Sequence, residues 1–166
     1  EEFIGEYLDY QGSIGITVSG SEGKGTTAGA LTTILKETFY DPLSILGAKI
    51  KNIHNNKDSN IYIGKGKSYI LEADEYNRNF FHYHPSINIM LNFQYEHPET
   101  YKDFNEYKKA FFTFFNSMKG EKKLILRATN SIKEFVKEYD IEKSHTIIWF
   151  GTKEEINDIT SSSIWE

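Results

Sequence analysis

The segment Gly20-Ser21-Glu22-Gly23-Lys24-Gly25-Thr26-Thr27 follows an alternating apolar run, Ile14, Ile16 and Val18, and opens a stretch with helical apolar spacing. Strand, glycine turn and helix N-terminus in that order offer an anion three things: backbone N–H groups without intrahelical partners, the positive end of the helix dipole, and the charge of Lys24. Glycine lets the backbone come close to the bound group. The chemistry indicated is phosphate binding. The standard spacing G-x-x-x-x-G-K-[ST] is not met in full, because its first glycine falls on Val18 and Gly25 stands where a hydroxyl should follow the lysine. A tight turn with a solvated lysine is the other reading of the same residues.

Two further clusters carry chemistry. Glu72, Asp74 and Glu75 gather carboxylates where an apolar strand ends, and a divalent cation between them and a phosphate would relieve their repulsion. The alternative is a solvated turn. His97, beside Glu96 and before Pro98, fits a surface residue, a helix-entry residue or a metal ligand. His82, His84 and His145 have no partner at ligand spacing and read as structural.

The elements that must position these groups alternate along the chain, which is the pattern of an α/β fold: a mostly parallel sheet with helices on both faces. Ala28, Leu31, Ile34, Leu35 and Thr38 recur at helical spacing, and Asp41-Pro42 ends that helix. Ser44 to Leu46 reads as a short strand ending at Gly47, and Ile53 to Asn60, polar and carrying Asn55-Asn56, as a loop. Strands are expected over Lys67 to Leu71, Ile87 to Leu91, Leu124 to Leu126 and Thr146 to Phe150. Helices are expected over Phe104 to Met118, with an aromatic stripe that reads as core, and over Ile132 to Tyr139. Ligands of open α/β sheets sit at the carboxyl ends of the strands. Glycine loop, acidic strand end and histidine strand end all project from that one edge.

The composition bounds the partners. A chain of 166 residues suits one domain, and its net charge of -5 argues against wrapping nucleic acid. No run approaches the roughly 20 apolar residues that span a bilayer, and the amino terminus shows no signal-peptide pattern, so no membrane partner is expected. The absence of cysteine removes thiolate metal sites and cysteine nucleophiles, and it fits a cytoplasmic location.

Taken in order, G-S-E-G-K-G-T-T, L-G-A near Gly47, E-A-D-E-Y-N-R-N-F-F-H-Y-H-P from Glu72 and N-F-Q-Y-E-H-P-E-T-Y from Asn92 resemble the central ATPase domain of the Mur ligases, a P-loop NTPase-like fold. Within the family the pattern is most similar to the branch that joins L-alanine to UDP-N-acetylmuramate in peptidoglycan synthesis. The branch that recycles murein tripeptide shares E-A-D-E-Y and F-F. The resemblance implies ATP and Mg2+ as cofactors and a ligation through an acyl phosphate. It also implies roles by motif position. Lys24 would hold the β- and γ-phosphates, and Gly20, Ser21, Gly23, Gly25, Thr26 and Thr27 would complete the cradle. Glu72 would ligate the Mg2+ bridging the phosphates, His97 a second Mg2+, and Thr26 would supply the substitute hydroxyl ligand.

Complete ligases of the family carry separate domains for the UDP-sugar and the incoming amino acid. The expectation is therefore a single central ATP-binding domain over residues 1–166, cut short at its carboxyl end, with both other domains absent and the isolated chain inactive. Three departures, Glu22 beside the phosphates, Gly25 after the lysine and Gln94 before the histidine, motivate the opposing reading of a degenerate scaffold module.

Overall fold

The computed structural model describes residues 2–10, 14–54, 57–157, 159 and 164–165. Among the described residues, eight strands form one sheet in the order β3-β2-β4-β1-β5-β6-β7-β8. The strands are β1 (Ile14–Ser19), β2 (Leu43–His54), β3 (Lys57–Ile63), β4 (Ser68–Glu72), β5 (Ile87–Met90), β6 (Lys123–Arg127), β7 (Thr146–Phe150) and β8 (Ile164–Trp165). Every pairing is parallel except β2 with β3. Among the described residues the helices are α1 (Glu2–Tyr10), α2 (Lys24–Leu35), α3 (Phe104–Ser117), α4 (Asn130–Glu138) and α5 (Lys153–Ile156), with 3-10 helices over Tyr76–His82 and Ile141–Lys143.

The central strands form where apolar residues alternate, and the alternation assigns their two faces. Val18 of β1 and Ile70 of β4 pack under α2 with Ala28 and Leu46. Tyr69, Leu71, Met90, Leu124 and Leu126 face the opposite way, into a core that α3 and α4 fill with Tyr107, Phe111, Phe114, Phe115, Ile132 and Phe135. Helix α3 begins at Asp103, whose carboxylate accepts the Glu106 N–H at 2.9 Å, and its aromatic stripe is core, as its spacing indicates.

One segment differs from expectation. Residues read as a loop from Ile53 to Asn60 lie within a β2–β3 hairpin, and β2 runs on through Gly47 rather than ending there. Asn55 and Asn56 lie outside the described residues. β3 is an edge strand exposed along most of its length, so neither face imposes the apolar alternation by which strands are recognised. Helix α2 also ends at Leu35, short of Thr38, and α1, α5, β8 and the two 3-10 helices among the described residues had no counterpart in the sequence pattern.

Candidate functional site

The loop after β1 turns through two left-handed glycines, Gly20 (φ 126°) and Gly23 (φ 83°), a region that side-chain-bearing residues avoid. Gly23 is the N-cap of α2, and no side chain caps the helix, so its leading N–H groups are open to an anion. The loop is held from β5. Asn92 Oδ1 accepts the Glu22 N–H at 3.2 Å, and Asn92 Nδ2 donates to the Glu22 carbonyl at 3.0 Å. The Glu22 side chain is exposed and shares with Arg127 and Phe150 a cleft of about 370 Å³.

Lys24 does not reach into solvent. Its Nζ donates to the Gly20 carbonyl at 2.6 Å and to both carboxylate oxygens of Glu75, at 3.2 and 3.3 Å. The Glu75 side chain is 0% exposed, and the Nε2 of His97 stands 3.6 Å from its Oε1. Burial pushes the Glu75 carboxyl above the ordinary glutamate range, and the Lys24 charge opposes that shift. Glu99 accepts at His97 Nδ1 (3.1 Å), which orients the imidazole with Nε2 toward Glu75, and the Tyr76 ring lies 5.3 Å from the imidazole.

Glu75, Glu96 and His97 each present one donor atom within 4.8 Å of the others. Two carboxylate oxygens and an imidazole nitrogen are a donor set that suits a divalent cation.

Glu72, given a metal-ligand role by motif position, is held apart from these three. Its carboxylate accepts the Gly47 N–H and stands outside the Glu75–Glu96–His97 cluster. Two glycines make its seat: a Cβ on Gly25 would fall 3.2 Å from Glu72 Oε1, and one on Gly47 would fall 3.3 Å from Oε2. Gly25, where a hydroxyl residue was expected, is therefore small because Glu72 fills the space beside it. Glu72 remains at the first turn of α2, next to the loop. Thr26 is exposed there and shares a shallow groove with Lys49 and Lys51, Thr27 begins the helical bonding by donating to the Gly23 carbonyl at 3.0 Å, and Ser21 Oγ lies 3.4 Å from the Gln94 carbonyl.

Structure thus unites Lys24 and His97 through Glu75, which the sequence reading named among three clustered carboxylates but gave no role of its own, while Glu96 and Asn92 received none. Their signal was present: Glu75 closes the acidic tetrapeptide, and Asn92 leaves the strand that borders the glycine loop. His145 is structural as expected, with Nε2 2.9 Å from the Phe115 carbonyl.

The chain as a whole is similar to known proteins. A UDP-N-acetylmuramate–L-alanine ligase of Clostridium tetani is 32% identical over 164 residues, 98% of this chain and 34% of the relative. Its counterpart in Chlorobium chlorochromatii is 36% identical over 118 residues, 71% of this chain and 24% of the relative. The chain thus spans about a quarter to a third of the length of these relatives.

Among solved structures, a UDP-N-acetylmuramate:L-alanyl-γ-D-glutamyl-meso-diaminopimelate ligase of Neisseria meningitides superposes with a TM-score of 0.71 at 18% identity, over 91% of this chain and 49% of that one. The UDP-N-acetylmuramate–alanine ligase of Thermotoga maritima gives 0.68 at 21% identity, over 91% and 32%. A further ligase of Thermotoga maritima, solved in complex with ADP, gives 0.64 at 16% identity, over 92% and 36%. These likenesses establish the shared fold. Residues 18–166 match the sequence profile of the Mur ligase middle domain, and the chain belongs to that family.

Proposed function

We propose that this chain is the ATP-binding core of a ligase that joins L-alanine to UDP-N-acetylmuramate in peptidoglycan synthesis. The observation that carries the reading is the convergence of an uncapped helix N-terminus, Lys24 and the Glu75–Glu96–His97 donor set on one sheet edge. The identity of the relatives supports the substrate assignment.

ATP would lay its β- and γ-phosphates on the Gly20–Thr27 cradle, with the Lys24 ammonium against their oxygens. The lactyl carboxylate of the sugar attacks the γ-phosphorus, the bond to the β,γ-bridging oxygen breaks, and ADP leaves an acyl phosphate behind. The L-alanine amine then adds to the acyl carbon, loses its proton, and phosphate departs from the tetrahedral intermediate. Catalysis of this kind rests on positioning and on neutralising charge. Mg2+ would be held by Glu72 beside the loop and by His97 with Glu75 and Glu96, and it supplies charge neutralisation at the transferring phosphoryl group. Thr26, exposed on the first helical turn, offers a hydroxyl on the Glu72 side. A cytoplasmic location accords with these substrates.

The scaffold reading loses one of its motives, since Gly25 makes room for Glu72, and the exposed Glu22 side chain is free to turn away from the phosphates. The tripeptide-recycling reading has no observation here that favours it over the L-alanine one. The test is calorimetric titration of ATP into the protein and into Lys24→Ala, with and without Mg2+. We expect Mg2+-dependent binding that the substitution weakens about a hundredfold, as loss of charge-assisted hydrogen bonds would. Equal binding by both proteins would refute the role of the loop, and failure of the full-length protein to couple L-alanine to UDP-N-acetylmuramate would refute the substrate assignment.

A further inference from the structure

We infer that Glu75 is a positioning residue that ties down Lys24 until a divalent cation claims the carboxylate, so that the cradle accepts phosphate only together with metal. The inference rests on the proposed function, and the observations behind it concern the chain alone.

A lysine ammonium has three hydrogens to donate. In Lys24 one is given to the Gly20 carbonyl at 2.6 Å and another is shared between the two Glu75 oxygens at 3.2 and 3.3 Å, so the ammonium is drawn against the carboxylate and away from a phosphate. The ammonium that should greet the nucleotide is neutralised, and the carboxylate neutralising it would repel the incoming anion. With the Glu75 side chain 0% exposed, solvent screening of that repulsion is weak.

The carboxylate cannot simply swing aside. It belongs to a turn fixed on several sides: Tyr101 Oη donates to the Glu75 carbonyl, Asn77 and Arg78 hold left-handed backbone at φ 49° and 58°, and Arg78 pairs with Glu106 while lying 5.6 Å from the Tyr101 ring centroid. Such backbone persists only where its surroundings impose it. The lysine, on a flexible stem, is the partner that moves.

A divalent cation removes both obstacles at once. Glu96 and His97 already stand with Glu75 within 4.8 Å, so an ion shared among them would take over the Glu75 charge and release Lys24 toward the loop. Free nucleotide would have to break the Lys24–Glu75 pair unaided.

The proposal is tested on the unmodified protein by following acylation of the Lys24 amine with no nucleotide present. Mg2+ should accelerate labelling at Lys24 about tenfold relative to the other lysines, the factor expected if the pair weakens by ~1.4 kcal/mol. An unchanged rate overturns the proposal. A second measurement uses Glu75→Gln, which keeps the shape and removes the charge. It should bind metal-free ATP about tenfold more tightly than the parent and lose most of the gain from Mg2+. A loss of affinity that is equal with and without Mg2+ would mark Glu75 as merely structural and sink the idea. If the variant does not fold, the labelling result decides. An unliganded assay separates this proposal from the proposed function, which stands or falls on ATP binding by the parent protein.

Discussion

The two faces of the sheet are built in different ways. One is sealed by interlocked rings: Phe93 lies 4.7 Å from Phe135 and 5.2 Å from Phe111, and Phe80 lies 4.8 Å from Phe114. Among the described residues the other is covered by α2, whose fully buried residues are small: Ala28 packs with Val18, Leu46 and Ile70, Gly29 meets Ile50, and the larger Leu31 and Leu35 are only half-buried against it. Glu75 and Tyr101 belong to the ring-filled side, Lys24 and Gly25 to the α2 side, and the site lies on the seam. One half of the site is held rigid by packing, while the other hangs on a thinly packed helix tied by polar bonds. In the proposed site the Glu75 carboxylate is the fixed group and the Lys24 ammonium the adjustable one.

That contrast can be broken most directly by cutting each core. Phe111→Ala should cost about 3–5 kcal/mol in urea unfolding, and Leu46→Ala on the α2 face a smaller sum nearer 2, because fewer neighbours are left around the hole. Equal costs would erase the distinction.

A second test targets the polar ties. Asp41 accepts from Tyr62 Oη at 2.6 Å and from the Lys65 N–H at 2.8 Å, anchoring the chain between α2 and β2. The Tyr62 hydrogen bond, then the Lys65 one, hold its carboxyl below the ordinary aspartate range, while the Tyr62 hydroxyl is pushed up to about 12. Because the folded value is depressed, the stabilisation is present above the unfolded value and lost as pH falls through the folded one. Thermal melts should therefore show the parent more stable than Asp41→Asn at neutral pH, with the gap closing in acid. A gap that widens in acid contradicts this.

The smallest effect is expected at Gly25→Ala. Its new Cβ would press on Glu72 Oε1, whose bond to the Gly47 N–H would loosen at a cost of about 1 kcal/mol, against a gain in helix propensity of similar size. Net stability should move by less than ~1 kcal/mol while hydrogen exchange at the Gly47 amide accelerates. An unaltered amide would mean that Glu72 is not seated as described.

What could be read from the sequence follows the same division. The buried parallel strands β1, β4, β5, β6 and β7 and the striped helix α3 announce themselves by apolar period, since burial dictates it. The β2–β3 hairpin does not, because β3 is exposed. At the site, Lys24 and His97 were legible from strand-end position. Glu75 was legible only as one of three carboxylates; its contact with the lysine depends on a turn through left-handed Asn77 and Arg78, a conformation that Asn favours and Arg seldom adopts. The role given to Glu72 came from motif position in the resemblance rather than from the strand pattern, which did not separate it from Asp74 and Glu75.

Asn92 has a mechanical consequence. By exchanging two hydrogen bonds with the Glu22 backbone it imitates a peptide unit of a neighbouring strand and stitches the glycine loop to the exit of β5. The same exit leads directly to Gln94, Glu96 and His97. Loop and imidazole are thus carried on one short tether, and in the proposed site a nucleotide settling on the loop would bear on the histidine through Asn92.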